Sequence, residues 1–304
     1  MTVYTVFTGG TISCSAKGGV LSPDNKNGYL LLDLAKQAGV KAAFVTAQPY
    51  TILSENLGAA HLQALRKCLQ AAIDSGYDRI IVTHGTDTLA YTAAYLDLTL
   101  GNSGAAIVLV SANYPLADER SNGLPNFLAA AQFLTTGERG VFVAYRNAGE
   151  AAAAIHRGSR VLPHTPYDDR VFSLFDMPFG TVCDGVFTRN PGYSEGNRED
   201  FSDCELNGTV LFVRPYVGVV YPALTEGVKA VLLEGWHSGT LPVESEALRQ
   251  FCRAAAEKQI PVFLTGHQEG FAYESKNAFA ALGIKPLPPM SPVAAYMRLW
   301  LTRL

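Results

Sequence analysis

The sequence predicts an α/β protein: an N-terminal domain built on a doubly wound, mostly parallel sheet, followed by a smaller α/β C-terminal domain. Three observations predict it. Short β-rich apolar runs alternate with helical patterns through the first half, regular periodicity weakens between Arg157 and Pro215, and the alternation resumes from Val217. With 304 residues the chain has room for about two domains on a scale of ~150 residues each, and for a substantial core.

Taken in order, Val3 to Phe7, Ala43 to Thr46, Arg79 to Thr83, Ala106 to Val110 and Val141 to Tyr145 read as strands. Ala59 to Ser75 and Thr88 to Leu98 carry apolar residues at helical spacing, which makes them crossovers between parallel strands. From Arg157 to Pro215, Pro163, Pro166, Pro178 and Pro191 accompany Gly180, Gly192 and Gly196, a pattern of turns and short extended pieces. Val217 to Tyr221, Lys229 to Leu233 and Pro261 to Leu264 then read as strands, with a helix from about Glu244 to Lys258. A last helix runs from Pro292 to Arg303, with Ser291 before a proline at its first turn. The expected division is residues 1–190, a connection over 191–214, and 215–304, with no internal repeat and no low-complexity segment.

Composition bounds the function. Hydrophobic residues make up 48% and charged residues 17%, as in an ordinary globular protein. A net charge of -3 without a basic stripe argues against a nucleic-acid partner and for a small-molecule ligand. Cys14, Cys68, Cys183, Cys204 and Cys252 are odd in number and never spaced as CxxC, so they read as reduced, mostly buried thiols rather than a disulfide framework or a metal site. The chain enters a strand-like run at Met1-Thr2-Val3-Tyr4 with no secretory leader, and no run of ~18 apolar residues offers a membrane span. The expected location is cytoplasmic, with no membrane partner.

Ligands of open α/β sheets gather beyond the carboxyl ends of the strands. Two polar clusters fall there. Thr8-Gly9-Gly10-Thr11-Ile12 follows the first strand, and its paired glycines let the backbone turn sharply and approach a ligand, with the Thr11 hydroxyl projecting from the turn. His84-Gly85-Thr86-Asp87-Thr88 follows Arg79 to Thr83 and opens the next helix, where the dipole and free backbone donors favour a carboxylate at Asp87 that could hold a substrate ammonium. The plainer alternative is that Thr86 or Asp87 only caps a helix and the glycines only make a turn.

Together the two clusters resemble the TGGTI and HGTDT signatures of the bacterial-type L-asparaginase and glutaminase family at about the family's separation. The similarity continues at Ser54-Glu55-Asn56-Leu57, at Tyr114-Pro115-Leu116-Ala117-Asp118, at Arg120-Ser121-Asn122-Gly123 with Asn126, at Gly235 to Pro242 and from Met290 to Leu304, nearly the whole chain. The resemblance implies hydrolysis of the side-chain amide of asparagine, and often glutamine, to the acid and ammonia through an acyl-enzyme ester on threonine, with no cofactor and no metal. It implies Thr11 as nucleophile, Thr86 and Asp87 as the second threonine and the acid, and Ser54 and Glu55 as holders of the amino acid's carboxylate and ammonium, with Gly10 and Gly85 at the substrate. It also implies a homo-oligomer, a dimer or a tetramer.

Departures from the family pattern matter as much. The family lysine falls, by counting from Gly158 to Phe172, on Pro163, which can neither donate nor accept a proton; His164 beside it could substitute as base or be a plain loop residue. Thr240 stands where relatives often carry asparagine, and His237 could face a pocket or be a structural histidine. The segment from Ser13 to Tyr29 reads as a mobile loop of the kind that relatives use as a lid, with Tyr29 either its substrate-facing tyrosine or a helix-entry residue. Two further readings stay open: a catalytically impaired protein that binds an amino acid or amide as a sensor, and an ammonia-releasing subunit of an amidotransferase, which usually carries an additional N-terminal domain.

Overall fold

Near-continuous runs of Val, Ile, Leu and Phe form strands buried on both faces, and a strand of that kind needs helices above and below it. In the computed structural model, which describes residues 1–17, 20–23, 25–196, 199–267 and 273–303 (backbone alone within 15–28), the chain divides into two units, Met1–Ser202 and Asp203–Leu304. The first contains β1 (Thr2–Phe7), β2 (Cys14–Lys17), β3 (Val20–Pro23), α1 (Asn25–Gln37), β4 (Ala43–Ala47), α2 (Ala59–Asp74), β5 (Arg79–Thr83) and α3 (Leu89–Leu100). It continues with β6 (Ala106–Val110), α4 (Gly123–Phe133), β7 (Gly140–Tyr145), β8 (Ala153–Arg157), β9 (Gly180–Cys183) and β10 (Val186–Arg189).

An eight-stranded sheet orders these as β10-β9-β8-β7-β6-β5-β1-β4. The ladders among β4, β1, β5, β6 and β7 are parallel, while β8, β9 and β10 are added antiparallel. Helical crossovers carry the chain back between the parallel strands, whereas residues 146–152 turn it straight round and force β8 to run the other way. Strands β6 and β7 are buried along their whole length. On one face Leu31 and Leu32 of α1 and Phe127 and Phe133 of α4 cover Val3, Ile81, Val108 and Phe142. Leu62, Leu65 and Leu69 of α2 lie buried at helical spacing, and α3 is buried on nearly every side.

In the second unit β11 (Thr209–Val213), β12 (Val228–Glu234), α5 (Glu246–Glu257), β13 (Val262–Thr265), α6 (Lys276–Ala281), β14 (Ile284–Pro286) and α7 (Pro292–Leu301) follow in order. Its four strands form a parallel sheet, β11-β12-β13-β14. Helix α5 packs on one face through Leu248 and Phe251, and α7 on the other through Ala295 and Leu299. The Ser291 hydroxyl accepts from Ala294 N at 3.1 Å, with Pro292 at the first turn, as the sequence pattern predicts.

Several expectations are corrected. Val217 to Tyr221 is not a strand: Val217 and Val220 are 94% and 75% exposed, Gly218 turns at φ 78°, and the segment joins no ladder. A strand of the second sheet, β11, lies inside the stretch 191–214 read wholly as a connection, although the two units do part within that stretch, between Ser202 and Asp203. All five cysteines are free thiols, but only Cys14 and Cys252 are buried. The segment from Ser13 to Tyr29 is a β2–β3 antiparallel pair followed by the start of α1; Gly18, Gly19 and Asp24 lie outside the described residues. Among the described residues no helix is long and apolar enough to cross a membrane.

Candidate active site

From β1 the chain crosses to β4 on one side of the sheet and then to β5 on the other, so the order reverses at the β1/β5 pair. That is where a crevice opens beyond the carboxyl ends of the strands. Both sequence clusters emerge there.

After β1, Thr8 donates its hydroxyl to Thr83 O at 2.7 Å, tying the two strand ends together. Gly9 bridges Ile52, and Gly10 N donates to Ile52 O at 3.0 Å. Gly10 sits at φ 77°, ψ 177°, a conformation open essentially only to glycine. A methyl group on Gly10 would stand 2.3 Å from Gly85 N and 2.4 Å from Gly85 Cα. The absence of side chains therefore lets the two loops touch backbone to backbone. Thr11 opens a short 3-10 turn, half-buried, and its hydroxyl makes no hydrogen bond to any described residue. The Cys14 thiol just beyond donates to Gly10 O at 3.2 Å and is pushed up by burial and by the charge of Glu55.

After β5, His84 is 1% exposed and fully bonded. Its Nδ1 lies 2.8 Å from Gly85 O, which can only accept, so Nδ1 carries the proton and Nε2 accepts from the Thr92 hydroxyl at 2.8 Å. Burial pushes its pKa down to about 4 against the pull of the Gly85 carbonyl and Asp87. His84 is thus a neutral strut between α3 and the loop. Helix α3 begins at Leu89 with Thr88 as its cap, so neither Thr86 nor Asp87 is spent on capping. Asp87 instead accepts from the Ser54 hydroxyl at 3.2 Å, and Thr88 donates to Ser54 O at 2.9 Å. A methyl on Gly85 would meet Ser54 Oγ at 2.4 Å.

The structure therefore gathers the Gly10–Thr11 turn, Gly85, Thr86, Asp87 and Ser54 into one cluster. Glu55 is exposed beside it, near enough for its charge to reach the Cys14 thiol. His164 joins from a distant segment: its ring stands by the backbone of Thr86 and the charges of Asp169, Asp87 and Asp168, and burial pushes its pKa below the ordinary value. Its Nε2 is buried with no partner among the described residues. Tyr29 lies on the exposed side of α1 with its ring 5.8 Å from that of Phe7, and His237 is exposed on the turn after β12. A cleft of about 650 Å³, lined by Lys41, Leu128, Gln132 and Arg146, contains none of these residues. Reasoning from sequence assigned no role to His84 or Thr88; their place inside the second cluster was the available signal.

Residues 2–180 match the family model "Asparaginase, N-terminal". The chain is 28% identical to an L-asparaginase from Thermococcus kodakarensis, over 73% of this chain and 69% of that one. It is 26% identical to a glutamyl-tRNA(Gln) amidotransferase component from Pyrococcus abyssi, over 82% of this chain, and spans 60% of that relative's length. In fold it resembles the thermostable L-asparaginase from Thermococcus kodakarensis, with a TM-score of 0.78 at 22% identity, covering 99% of this chain and 92% of that one. A probable cytoplasmic L-asparaginase from Campylobacter jejuni gives 0.75 at 21% identity, covering 99% and 94%. An α/β protein with paired threonine-bearing loops at a sheet reversal is the class that fold and site define. The chain belongs to the asparaginase family.

Proposed function

We propose that this chain is an amidohydrolase that converts L-asparagine, or a related amino-acid amide, to the acid and ammonia through an ester on Thr11. The observation that carries the reading is the backbone contact of Gly10 with Gly85, which brings two loops together, each bearing a half-buried threonine next to its glycine. Thr11 Oγ attacks the amide carbonyl carbon, the carbon–nitrogen bond breaks, and nitrogen leaves as ammonia with the hydroxyl proton. Water then adds to the ester, releasing the acid and restoring the hydroxyl. A neutral threonine needs a base for this, and in our reading the proton passes by way of Thr86 to His164, a neutral imidazole that replaces the lysine absent at position 163. Ser54, Glu55 and Asp87 hold the carboxylate and ammonium of the amino acid, and Gly10 and Gly85 keep bare backbone beside it. The protein works in the cytoplasm as a dimer or tetramer.

The test is ammonia release from L-asparagine, L-glutamine and a panel of small amides beside a Thr11→Ala control. Turnover that disappears in the control is the expected result; no turnover with any amide refutes the reading. In that case Pro163 favours an impaired member, and thermal stabilisation by aspartate without ammonia release identifies it. The likeness to an amidotransferase component supports a role as an ammonia-releasing subunit, which a copurifying partner would reveal.

A further inference from the structure

His156 and Tyr145 lie on one face of the sheet. Antiparallel register pairs His156 with Val143 and Ala154 with Tyr145, and side chains opposed across a ladder share a face. His156 is 2% exposed, and its Nδ1 lies 2.8 Å from Ser173 Oγ. Ser173 closes the far arm of the loop that carries His164: Val161 bridges Ser173, and Leu162 N donates to Phe172 O at 2.9 Å. Asn147 holds the same arm twice, accepting from Val171 N at 2.8 Å and donating to Val171 O at 3.2 Å. The His164 ring meets Tyr145 edge-on at 5.6 Å, and its charge reaches His156. Both histidines keep a buried Nε2 with no partner among the described residues.

We propose that His156 is a positioning residue for His164, fastening the 161–173 loop through Ser173 and fixing the orientation of the His164 ring beside Thr86. This rests on the reading of His164 as the base of the proposed amidohydrolase. Without the Ser173 bond the loop keeps its holds at Val171 and Phe172 but loses the one that fixes Ser173, and the His164 ring, whose Nε2 nothing described bonds, is then freer to turn away from Thr86. His156 never touches substrate; it acts through the loop. The groups facing His164 are Asp87, Asp168 with its partner Arg170, Asp169, His156, Tyr145 and the Thr86 backbone, and His156 faces Ser173 and His164.

Two variants of the full chain test it. His156→Phe removes the Ser173 bond, whereas His156→Asn places an amide near the position of Nδ1 and keeps it. His156→Phe is expected to lower kcat by about 10–100-fold, the scale of a small misplacement of a reacting group, with KM unchanged. His156→Asn is expected to recover most of the loss. Ring ¹⁵N shifts of His164 read the same point without activity: one fixed tautomer in the parent and in His156→Asn, an average of two in His156→Phe. Unchanged His164 shifts in a folded His156→Phe protein overturn the proposal. So does a kcat loss of equal size in both variants, and if the Phe variant does not fold, a His156→Asn protein with averaged His164 shifts overturns it alone. A parent chain that releases no ammonia sinks the amidohydrolase reading, and the ¹⁵N shifts then decide this one alone.

Discussion

Replacing Gly10 by alanine should damage both stability and activity, and the structure separates the two causes. At φ 77°, ψ 177° an ordinary residue is strained by about 1–3 kcal/mol. The new methyl would also stand 2.3 Å from Gly85 N and 2.4 Å from Gly85 Cα, backbone atoms that cannot rotate aside, and such overpacking costs about 1–3 kcal/mol. Together these destabilise by about 2–6 kcal/mol, which at ~2–4 °C per kcal/mol for a unit of this size lowers Tm by about 4–24 °C. Gly39→Ala is the control. Its φ is 94°, but no atom lies within 4 Å of the added methyl, so only strain of about 1–2 kcal/mol remains, a fall of about 2–8 °C. Scanning calorimetry at pH 7 measures both. If amides are hydrolysed, activity in Gly10→Ala should also fall about 10²-fold as the loops part, while Gly39→Ala stays active. Equal Tm losses in the two variants would refute the argument that bare backbone at Gly10 is what lets the loops meet.

His84 should make stability acid-sensitive. Its folded pKa of about 4 lies below its ordinary 6.5, so the unfolded chain takes up a proton first as pH falls, and stability drops between about pH 6.5 and pH 4 and levels off below. The loss is about 3 kcal/mol when complete; urea titrations at pH 7 and pH 5 should show a smaller difference for His84→Gln, and an identical one would contradict the assignment. Lys229 donates to Asn207 Oδ1 at 2.8 Å and to the carbonyls of Trp300 and Thr302 at 3.2 and 2.6 Å, closing the C-terminal end of α7. Lys229→Met should cost about 1–3 kcal/mol and speed amide exchange in the last turn of α7, an effect absent if the lysine is idle. With His164 as base, kcat/KM should rise with pH through a midpoint below 6.5 and stay flat above it, since burial lowers its pKa and only the neutral ring accepts a proton. A midpoint above 6.5, or an unchanged profile in His164→Gln, would exclude that role.

The parallel strands of the first unit were legible because burial on both faces demands unbroken apolar runs, as in Ala106–Val110, whereas β11 and β14 of the second were not read. Strand β8 was not legible because its sequence, AAIHR, ends in two polar residues, both buried. Their partners are far along the chain: Ser173 for His156, and Glu195 at 2.5 Å for Arg157, whose guanidinium also lies 4.6 Å from the Phe142 ring. Helix α4 hid for the opposite reason. Seven of its eleven residues are buried, Asn126 among them, so no polar stripe marks an outer face. Val217 misled because its apolar run pairs with no strand and leaves Val217 and Val220 in solvent.

The site was legible as motifs but not as an assembly. Spacing brings out Thr11 and Thr86-Asp87, yet only the sheet reversal and the glycine contact explain why residues about 75 positions apart meet. Position 163 makes the same point in reverse. A proline there looks like the loss of a base, but proline holds its own φ near about −65° and keeps the preceding residue extended. Leu162 is held in that way, its N–H bonded to Phe172 O at 2.9 Å. The next residue, His164, then falls beside Thr86, in surroundings where burial keeps an imidazole neutral while three aspartates lie near enough to steady it once protonated. An ammonium in the same place would have to shed its proton before acting as a base; a neutral imidazole starts ready to accept one. If His164 is the base we propose, the change at position 163 moves the burden from one flexible side chain to the loop that carries His164, and that loop is fastened at Asn147 and His156.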